Sequence, residues 1–354
     1  MKKLHLIRKA IGNEKYSDRT IALKMGVAMR YRPQRHYPKV IDRGWFKFIS
    51  YLSLYFVNIL YFIRSVISFR KSKEELKELF VISSNKAATI FSEAPRQQKL
   101  SMKDKNYYAY LSLGQKFYVL CLAQLILLRS FTRIKDVYYY HDLFDLLTFD
   151  KLLNSHKINR IHFTNHYDRW AVLIDDARIK VKNQYQHGVI NEKYTPPVKL
   201  TSISSVTCIN ERSIILWKRN ICSNKTCSYT IKSLSLEFTT EPEGKSILLI
   251  SNPLFQQDEI KLITYYKKLG TDTVLYYKPH PVYKYDLELL QNYVHIVNSD
   301  DYPKCTVCIT KGSTLGEEYA ANGVEVIWWE KNSCHKEVIK KALAKTVKSL
   351  CNTN

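Results

Sequence analysis

The sequence lacks the glycine-rich motifs of two large classes of nucleotide-binding enzyme. Its ten glycines form neither a Gly-x-Gly-x-x-Gly pattern nor a P-loop with its lysine. These absences argue against dinucleotide-dependent enzymes and against P-loop NTPases. The chain also has no Asp-x-Asp metal motif, no internal repeat and no low-complexity tract. We therefore expect ordinary globular domains, in which any phosphate site is built from other residues.

Cysteine is present but irregularly spaced. The eight cysteines, together with the lack of a cleavable signal, lead us to expect reduced thiols in a cytoplasmic protein. Cys305 and Cys308 fall in an apolar strand, where residues three apart point to opposite faces, and we predict that both are core residues. Cys222 and Cys227 have no histidine or second cysteine pair at the spacing of a zinc site. The sequence therefore predicts no structural metal.

Acidic residues are few for the size of the chain. The 354 residues include 55 Lys or Arg but only 32 Asp or Glu, which gives a formal net charge of +23. Such an excess predicts an acidic partner, and charge alone leaves nucleotide phosphates, anionic lipid and nucleic acid open. Hydrophobic residues make up 45% of the chain. This share excludes global disorder, and the length is enough for two domains with cores.

About half of the net charge lies in residues 1–75, which hold seventeen Lys or Arg and five Asp or Glu. Within 45–71 lies an aromatic and aliphatic helix flanked by Arg and Lys. Its uninterrupted part, 48–63, has about sixteen residues, fewer than the roughly twenty that span a bilayer. We predict that residues 30–71 hold the protein on an anionic membrane, with the helix in the interface. A buried helix of the first domain and a true transmembrane span are the alternatives.

Two apolar strands late in the chain are each followed by a polar turn. The strand at 274–278 runs into Lys-Pro-His-Pro, and the strand at 305–310 runs into Lys-Gly-Ser-Thr-Leu-Gly-Glu-Glu. Both patterns predict buried parallel strands, and ligands bind outside the carboxyl ends of such strands in open α/β sheets. A helix is predicted to begin at Thr314, and its free N–H groups favour an anion. The cationic and hydroxyl groups of the two turns suit a phosphate or diphosphate.

The Lys-Pro-His-Pro and Gly-Ser-Thr-x-Gly-Glu-Glu motifs resemble the nucleotide-binding half of bacterial GT-B glycosyltransferases of surface polysaccharide synthesis. Similar patterns occur in bacterial sialyltransferases and polysialyltransferases, capsule Kdo transferases and CDP-glycerol glycerophosphotransferases. The resemblance covers residues from about 155 to 330. It implies an α/β fold of GT-B type, in which two Rossmann-like domains with parallel sheets face a central cleft. It also implies donor contacts by Lys278, His280, Gly312, Ser313, Thr314, Glu317 and Asn252.

Two earlier strands end in turns that carry histidine. The first turn contains His166 and Asp168, and the second is Gln-His187-Gly, which is similar to the acceptor-side loops of the same glycosyltransferases. A base for the acceptor hydroxyl is expected here, and we rank His187 and Asp168 above His166. Structurally, His166 could instead cap its helix, Asp168 pair with Arg169 and His187 bond to main-chain groups. The acidic pair followed by glycine that serves polysialyltransferases as a base motif is absent.

We expect three segments along the chain. They are a basic, aromatic N-terminal segment at 1–75, an acceptor-side Rossmann-like domain at 76–200 and a nucleotide-sugar-binding Rossmann-like domain at 201–354. The stretch 189–204, which contains a Pro-Pro pair, is the predicted linker between the two domains.

The expected activity is transfer of a sugar, such as sialic acid or Kdo from a CMP-activated donor, without metal or cofactor. The acceptor is a lipid-linked glycan or polysaccharide of O-antigen, lipooligosaccharide or capsule synthesis. A CDP-glycerol-type transfer of a polyol phosphate is the alternative. Interpretations from other classes are a basic nucleic-acid-binding protein and a non-catalytic membrane scaffold. The expected partners are the donor, the acceptor and the anionic inner face of the plasma membrane, and not nucleic acid, because no known nucleic-acid module occurs.

Overall fold

The computed structural model describes residues 2–16, 44–68, 75–130, 139–188, 190, 195–232, 236–242, 244–252, 255–280, 288–298, 300–330 and 333–351. The chain divides into two compact units, residues 1–231 and residues 232–354. Each unit contains one sheet of parallel strands. The protein is therefore of the α/β class with two parallel sheets, as the alternation of strand and helix patterns predicted.

The first unit is built on a six-stranded parallel sheet with the order β2-β1-β3-β4-β5-β6. Its strands are β1 Glu78–Ile82, β2 Lys99–Ser101, β3 Arg160–Phe163, β4 Val181–Tyr185, β5 Ser205–Cys208 and β6 Ser228–Ile231. In β1, β4 and β5, buried residues alternate with half-buried ones. Because side chains alternate across a strand, one face of this sheet carries the core and the other is only partly covered.

Helices of the first unit begin where side-chain oxygens cap them. The described helices are α1 Lys2–Tyr16, α2 Gly44–Ser68, α3 Asn85–Ile90, α4 Leu113–Arg129, α5 Leu143–Ser155, α6 Arg169–Asp176 and α7 Glu211–Leu216. At the start of α4, the Ser112 hydroxyl accepts from the Gln115 N–H while the Gln115 side chain accepts from the Ser112 N–H. This capping box satisfies two donors that the helix itself cannot. Ser84 and Asn210 cap α3 and α7 with their side-chain oxygens.

The N-terminal helices belong to the first unit and are not a separate segment. Ile7 of α1 and Leu54 of α2 are buried in the same apolar core as the strands of the sheet. Helix α1 packs against α6, and α2 packs against α4 and α5. The boundary expected at residue 75 therefore separates nothing in the structure. Of the predicted membrane segment, residues 30–43 and 69–71 lie outside the described residues.

The second unit is built on a five-stranded parallel sheet with the order β11-β10-β7-β8-β9. Its strands are β7 Ser246–Ile250, β8 Val274–Lys278, β9 His295–Ile296, β10 Val307–Thr310 and β11 Glu325–Trp328. The described helices are α8 Gln256–Lys268, α9 Glu288–Gln291, α10 Thr314–Ala321 and α11 His335–Cys351. Strand β7 lies at the centre, with β10 on one side and β8 on the other.

The central strand β7 is covered on both faces. Ile247 lies in an apolar cluster with Leu262 of α8 and Ile339 of α11. Leu248, which points the opposite way, lies in a second cluster with Tyr319 of α10. Every residue of β7 is buried, which explains why the sequence shows a continuous apolar run there and no alternation.

Cys305 and Cys308 are both buried, so their assignment to the core is confirmed. The expectation that they point to opposite faces is wrong, because both lie in the cluster that contains Tyr319. The physical reason is that β10 begins only at Val307. Cys305 precedes the strand and does not follow its alternation.

The division between the units also differs from the predicted one. Strands β5 and β6 continue the first sheet from β4, although they lie after the expected boundary at residue 200. Of the predicted linker 189–204, the described residues Leu200 and Ile203 are fully buried in the core of the first unit. The division therefore falls after residue 231, because the first sheet takes two more strands than the sequence indicated.

Candidate functional site

Three turns lie at the carboxyl edge of the sheet in the second unit. They follow β7 at residues 251–252, β8 at residues 279–280 and β10 at residues 311–313. Because the three strands are parallel and β7 lies between the other two, the three turns are neighbours. The two turns that the sequence predicted to share an edge therefore do so, one strand apart. Ligands of open α/β sheets bind at this position.

Asn252 connects two of these turns. Its side-chain amide donates a 2.7 Å hydrogen bond to the main-chain carbonyl of Lys311, and its own main-chain N–H donates to Glu259 at 2.7 Å. The other carboxylate oxygen of Glu259 accepts from the hydroxyls of Ser251 at 2.8 Å and Tyr277 at 2.9 Å. Burial raises the pKa of Glu259, although these donors oppose the effect. The buried carboxylate thus fixes the turn after β7.

The turn after β10 has the geometry of a helix start. Gly312 has a φ of +73°, in the left-handed region that favours glycine. Ser313 caps α10, because its hydroxyl accepts from the Leu315 N–H at 3.3 Å, and its own N–H donates to Thr310 Oγ1 at 3.2 Å. Thr314 is the first helical residue. The positive end of the α10 dipole makes this edge attractive to an anion.

Gly316 and Glu317 shape the same helix. A Cβ at position 316 would lie 2.6 Å from Cγ2 of Thr310 and 3.2 Å from the ring of Trp328, so only glycine lets α10 pack this closely on the sheet. Glu317 lies in the first turn of α10 and is half-buried. Its carboxylate is favourable near a helix N-terminus but repels phosphate. Glu317 therefore suits hydroxyl groups of a ribose or sugar better than a phosphate.

Lys278 binds main-chain carbonyls of its own unit. Its ammonium group donates to the main-chain carbonyls of Asn298 and Asp301, both at 2.6 Å, and lies 4.4 Å from the centre of the Tyr302 ring. Burial lowers the pKa of Lys278, and Asp301 partly opposes this. These contacts give Lys278 a structural role, and its contact with a phosphate stays a prediction.

His280 follows the carboxyl end of β8 and is half-buried. Burial lowers its pKa from the ordinary value of a histidine, so the imidazole is neutral at pH 7. A neutral imidazole contributes a hydrogen-bond donor and not a positive charge. The contact of His280 with a phosphate stays a prediction, in which the neutral imidazole is the donor.

Lys311 is a buried cation in the turn after β10 that the sequence pattern did not predict as a site residue. Its side chain is buried, and the ammonium group lies 2.8 Å from Asp258 Oδ2. The ammonium also lies 4.2 Å from the centre of the Trp329 ring and 4.4 Å from the centre of the Phe255 ring. The hydrogen bond from Lys311 lowers the pKa of Asp258. The signal was present, because Lys311 directly precedes the Gly-Ser-Thr motif, but nothing in the sequence separates it from an ordinary solvent-exposed lysine.

In the first unit, the ends of β3 and β4 bring His166 and His187 together. Their ring centres lie 4.6 Å apart, and the main-chain N–H of His187 donates to His166 Nε2 at 3.2 Å. His187 Nδ1 lies 2.7 Å from the carbonyl oxygen of Thr164. Because a carbonyl only accepts, the proton of His187 is on Nδ1 and Nε2 is the basic nitrogen. Burial, and then the neighbouring His187, lower the pKa of His166 well below its usual range.

Asp168 serves as the N-cap of α6. One of its oxygens accepts two hydrogen bonds of 3.0 Å from the first turn of the helix, and the other accepts from Asn165 at 2.7 Å. The structural alternatives are revised accordingly. Asp168 and not His166 caps the helix, and Arg169 pairs with Asp142 at 2.6 Å. This geometry favours a structural role for Asp168 over that of a base.

The predicted site residues thus form two groups, one in each unit. Within the described part of the chain, no group of three or more His, Cys, Asp or Glu side chains is placed to hold a metal ion, and independence of a metal stays a prediction. No protein-family model, curated protein or solved structure matches the chain. The functional assignment therefore depends on the motifs and on the geometry of these two groups.

Proposed function

We propose that the chain is a glycosyltransferase of GT-B type that uses a nucleotide-activated sugar and no metal. The observation that carries the proposal is the arrangement of the second unit. There the His280 turn and the Gly312-Ser313-Thr314 turn follow the two parallel strands that flank β7, and Asn252 lies in the turn between them. The order of these motifs along the chain is the one that suggested the family.

The donor's phosphates are assigned to the edge formed by these turns. The start of α10 supplies the positive end of a helix dipole, and neutral His280 supplies a hydrogen-bond donor. Lys311 lies in the same turn, where its ion pair with Asp258 helps to hold the turn in place. Donors that are already in position stabilise the charge that develops on the leaving phosphate. Glu317 is assigned to a hydroxyl group of the donor.

Activation of the acceptor is assigned to His187 in the first unit. Its Nε2 is the basic nitrogen, and its ring is oriented by the bond from Nδ1 to Thr164. In the proposed step, Nε2 takes the proton of the acceptor hydroxyl while the oxygen bonds to the anomeric carbon. The bond from that carbon to the donor's phosphate breaks, and its electron pair leaves with the nucleotide.

The experiment compares CMP, CDP, UDP and GDP by thermal shift of the full chain. A shift with one nucleotide, lost in His280→Ala, is the expected result. His295→Ala is the matched control, because His295 lies on β9 of the same unit and is exposed. Preference for CMP supports a sialic acid or Kdo donor, and preference for CDP supports a polyol-phosphate donor. If none of the four nucleotides shifts the melting temperature and the chain binds RNA tightly in a salt-sensitive way, a nucleic-acid-binding protein is favoured instead.

A further inference from the structure

Exposed apolar side chains are concentrated on α2 and α4. Of the 21 exposed large apolar residues in the described part of the chain, ten lie on α2 and five on α4. The most exposed on α2 is Ile67, at 76%, followed by Phe56 at 69%, and the most exposed on α4 is Leu128, at 66%. We call these fifteen side chains the apolar face. A soluble monomer rarely exposes so many together, and such patches mark interaction surfaces.

The two helices lie side by side, so the apolar face is continuous. Gln124 of α4 donates to the carbonyl of Tyr55 of α2 at 3.1 Å, and the rings of Phe62 and Phe117 lie 6.3 Å apart. Near the other end of α2, the ammonium of Lys116 donates to a main-chain carbonyl of that helix at 2.8 Å. The sequence pattern predicted membrane contact for residues 30–71 alone. The structure adds the exposed apolar side chains of α4 to this surface.

The apolar face does not require α2 to cross a bilayer. By length and composition, the part Lys47–Ser68 is the one described helix that qualifies as a span, with a mean hydropathy of 1.4. Its other side is built into the first unit. The side-chain oxygen of Asn58 accepts from the Phe144 N–H at 3.0 Å, and Lys116 donates to the carbonyl of Ser65. Pulling α2 into lipid would leave these buried groups without partners.

Positive charge borders the apolar face. The sequences of α2 and α4 contain four Lys or Arg, of which Lys116 is buried, and no Asp or Glu. Beside Tyr118 of α4, a cleft of about 120 Å³ is also lined by Lys151, whose ammonium lies 5.3 Å from the centre of the Tyr118 ring, and by Lys3, which pairs with Asp150. Lys3 also lines a neighbouring groove of about 410 Å³. The other cationic or titratable side chains of this groove are Lys2, His5, Lys9 and Arg178, with Asp176 and Asn154 beside them.

We infer that the apolar face and the basic groove together dock the protein on one leaflet of an anionic membrane, with α2 and α4 lying in the interface. Apolar side chains next to a row of Lys and Arg match the boundary between acyl chains and anionic headgroups. A second copy of the chain fits less well. It would bring two basic grooves together in a protein whose net charge is +23.

The test is flotation of the purified full chain with vesicles of phosphatidylcholine alone or mixed with phosphatidylglycerol, at low and high salt. Binding is expected on the mixed vesicles and falls with salt. Phe56→Glu and Leu128→Glu should each weaken binding by roughly tenfold or more, since each removes one apolar side chain from the interface. Ile215→Glu is the control, because Ile215 is 61% exposed on α7 of the same unit.

The groove has its own test. Lys2→Gln combined with Lys9→Gln should weaken binding roughly thirtyfold on mixed vesicles, at about 1 kcal/mol for each cation, and leave binding to neutral vesicles unchanged. Circular dichroism checks that each variant is folded. The inference is overturned if the wild-type chain does not float, or if Phe56→Glu and Leu128→Glu float like Ile215→Glu. It is also overturned if light scattering shows a dimer that these two variants dissociate while vesicle binding persists.

Discussion

The side-chain amide of Asn252 and the main-chain carbonyl of Lys311 are joined by a 2.7 Å hydrogen bond between the ends of two neighbouring parallel strands. The bond fixes the turn after β7 against the turn after β10. Glu259 holds the first of these turns from below. The edge proposed to bind the donor is therefore assembled before any ligand arrives, which lowers the entropy lost on binding.

Lys278 is expected to stabilise the second unit and not to bind the donor directly. Lys278→Met removes the donor to two main-chain carbonyls and should lower the free energy of unfolding by about 1–3 kcal/mol. Lys304→Met is the control, because Lys304 forms an exposed pair with Glu241 at 2.9 Å and should change it by less than about 0.5 kcal/mol. Urea unfolding measures both. Equal stability of the two variants would contradict the structural role of Lys278.

Replacing Gly316 should lower the stability of the second unit, because α10 packs too closely on the sheet to leave room for a Cβ. In Gly316→Ala the new Cβ meets Thr310 Cγ2 at 2.6 Å, and overpacking of this kind costs about 1–3 kcal/mol. The opposite sign is expected for Gly12→Ala in α1, where no atom lies within 4 Å, with a gain of about 0.5–1 kcal/mol. Guanidinium unfolding of the two variants decides. A stable Gly316→Ala protein would show that α10 is not packed as described.

Stability of the first unit should fall in mild acid. Burial lowers the pKa of His166 in the folded chain, whereas the unfolded chain titrates near pH 6.5. The unfolded state therefore binds the proton first, so this contribution is present above about pH 6.5 and is lost as the pH drops below it. Protonation of Nε2 would also break the bond from the His187 N–H.

The measurement is urea unfolding between pH 7.5 and about pH 5, followed by tryptophan fluorescence, since Trp217 lies 6.0 Å from the His166 ring. One such group contributes a slope of at most about 1.4 kcal/mol per pH unit. His166→Gln keeps an acceptor for the His187 N–H but does not titrate, and its stability should depend less on pH. An unchanged slope in His166→Gln would contradict the burial of a neutral imidazole here.

The choice between His187 and Asp168 as base can be made with two asparagine variants. Asparagine caps helices about as well as aspartate, and the Asn165 amide can rotate to pair with it. Asp168→Asn should therefore keep both fold and turnover, whereas His187→Asn should lose most activity. Turnover with the donor chosen by nucleotide binding is the readout. Loss of activity in a folded Asp168→Asn, with His187→Asn active, would reverse the assignment.

The sequence indicated the strands and helices of the second unit well. The strand at 246–250 and the helix beginning at Thr314 were found because an unbroken apolar run and a Ser-Thr start are local signals. The boundary after residue 200 failed because β5 and β6 are four residues each, and short strands carry little periodicity.

Side-chain roles within the site were harder to predict than its location. Lys278 ends the apolar strand β8 and Lys311 directly follows β10, so the sequence pattern does not distinguish them. The partners of their ammonium groups are distant in sequence. They are the carbonyls of Asn298 and Asp301 for Lys278, and Asp258 for Lys311. Likewise, the sequence places Asp168 near His166 and suggests a base, whereas in the structure one of its oxygens caps α6.

The proposed donor site can be tested by amide hydrogen exchange. Exchange is measured with and without the nucleotide that gives the largest thermal shift. Slower exchange is expected in peptides that cover 311–317 and 278–280, because a bound nucleotide would cover both turns. Protection at both turns should be lost in His280→Ala and kept in His295→Ala. Binding with protection confined to other parts of the chain, or no binding of any of the four nucleotides, would contradict the donor site.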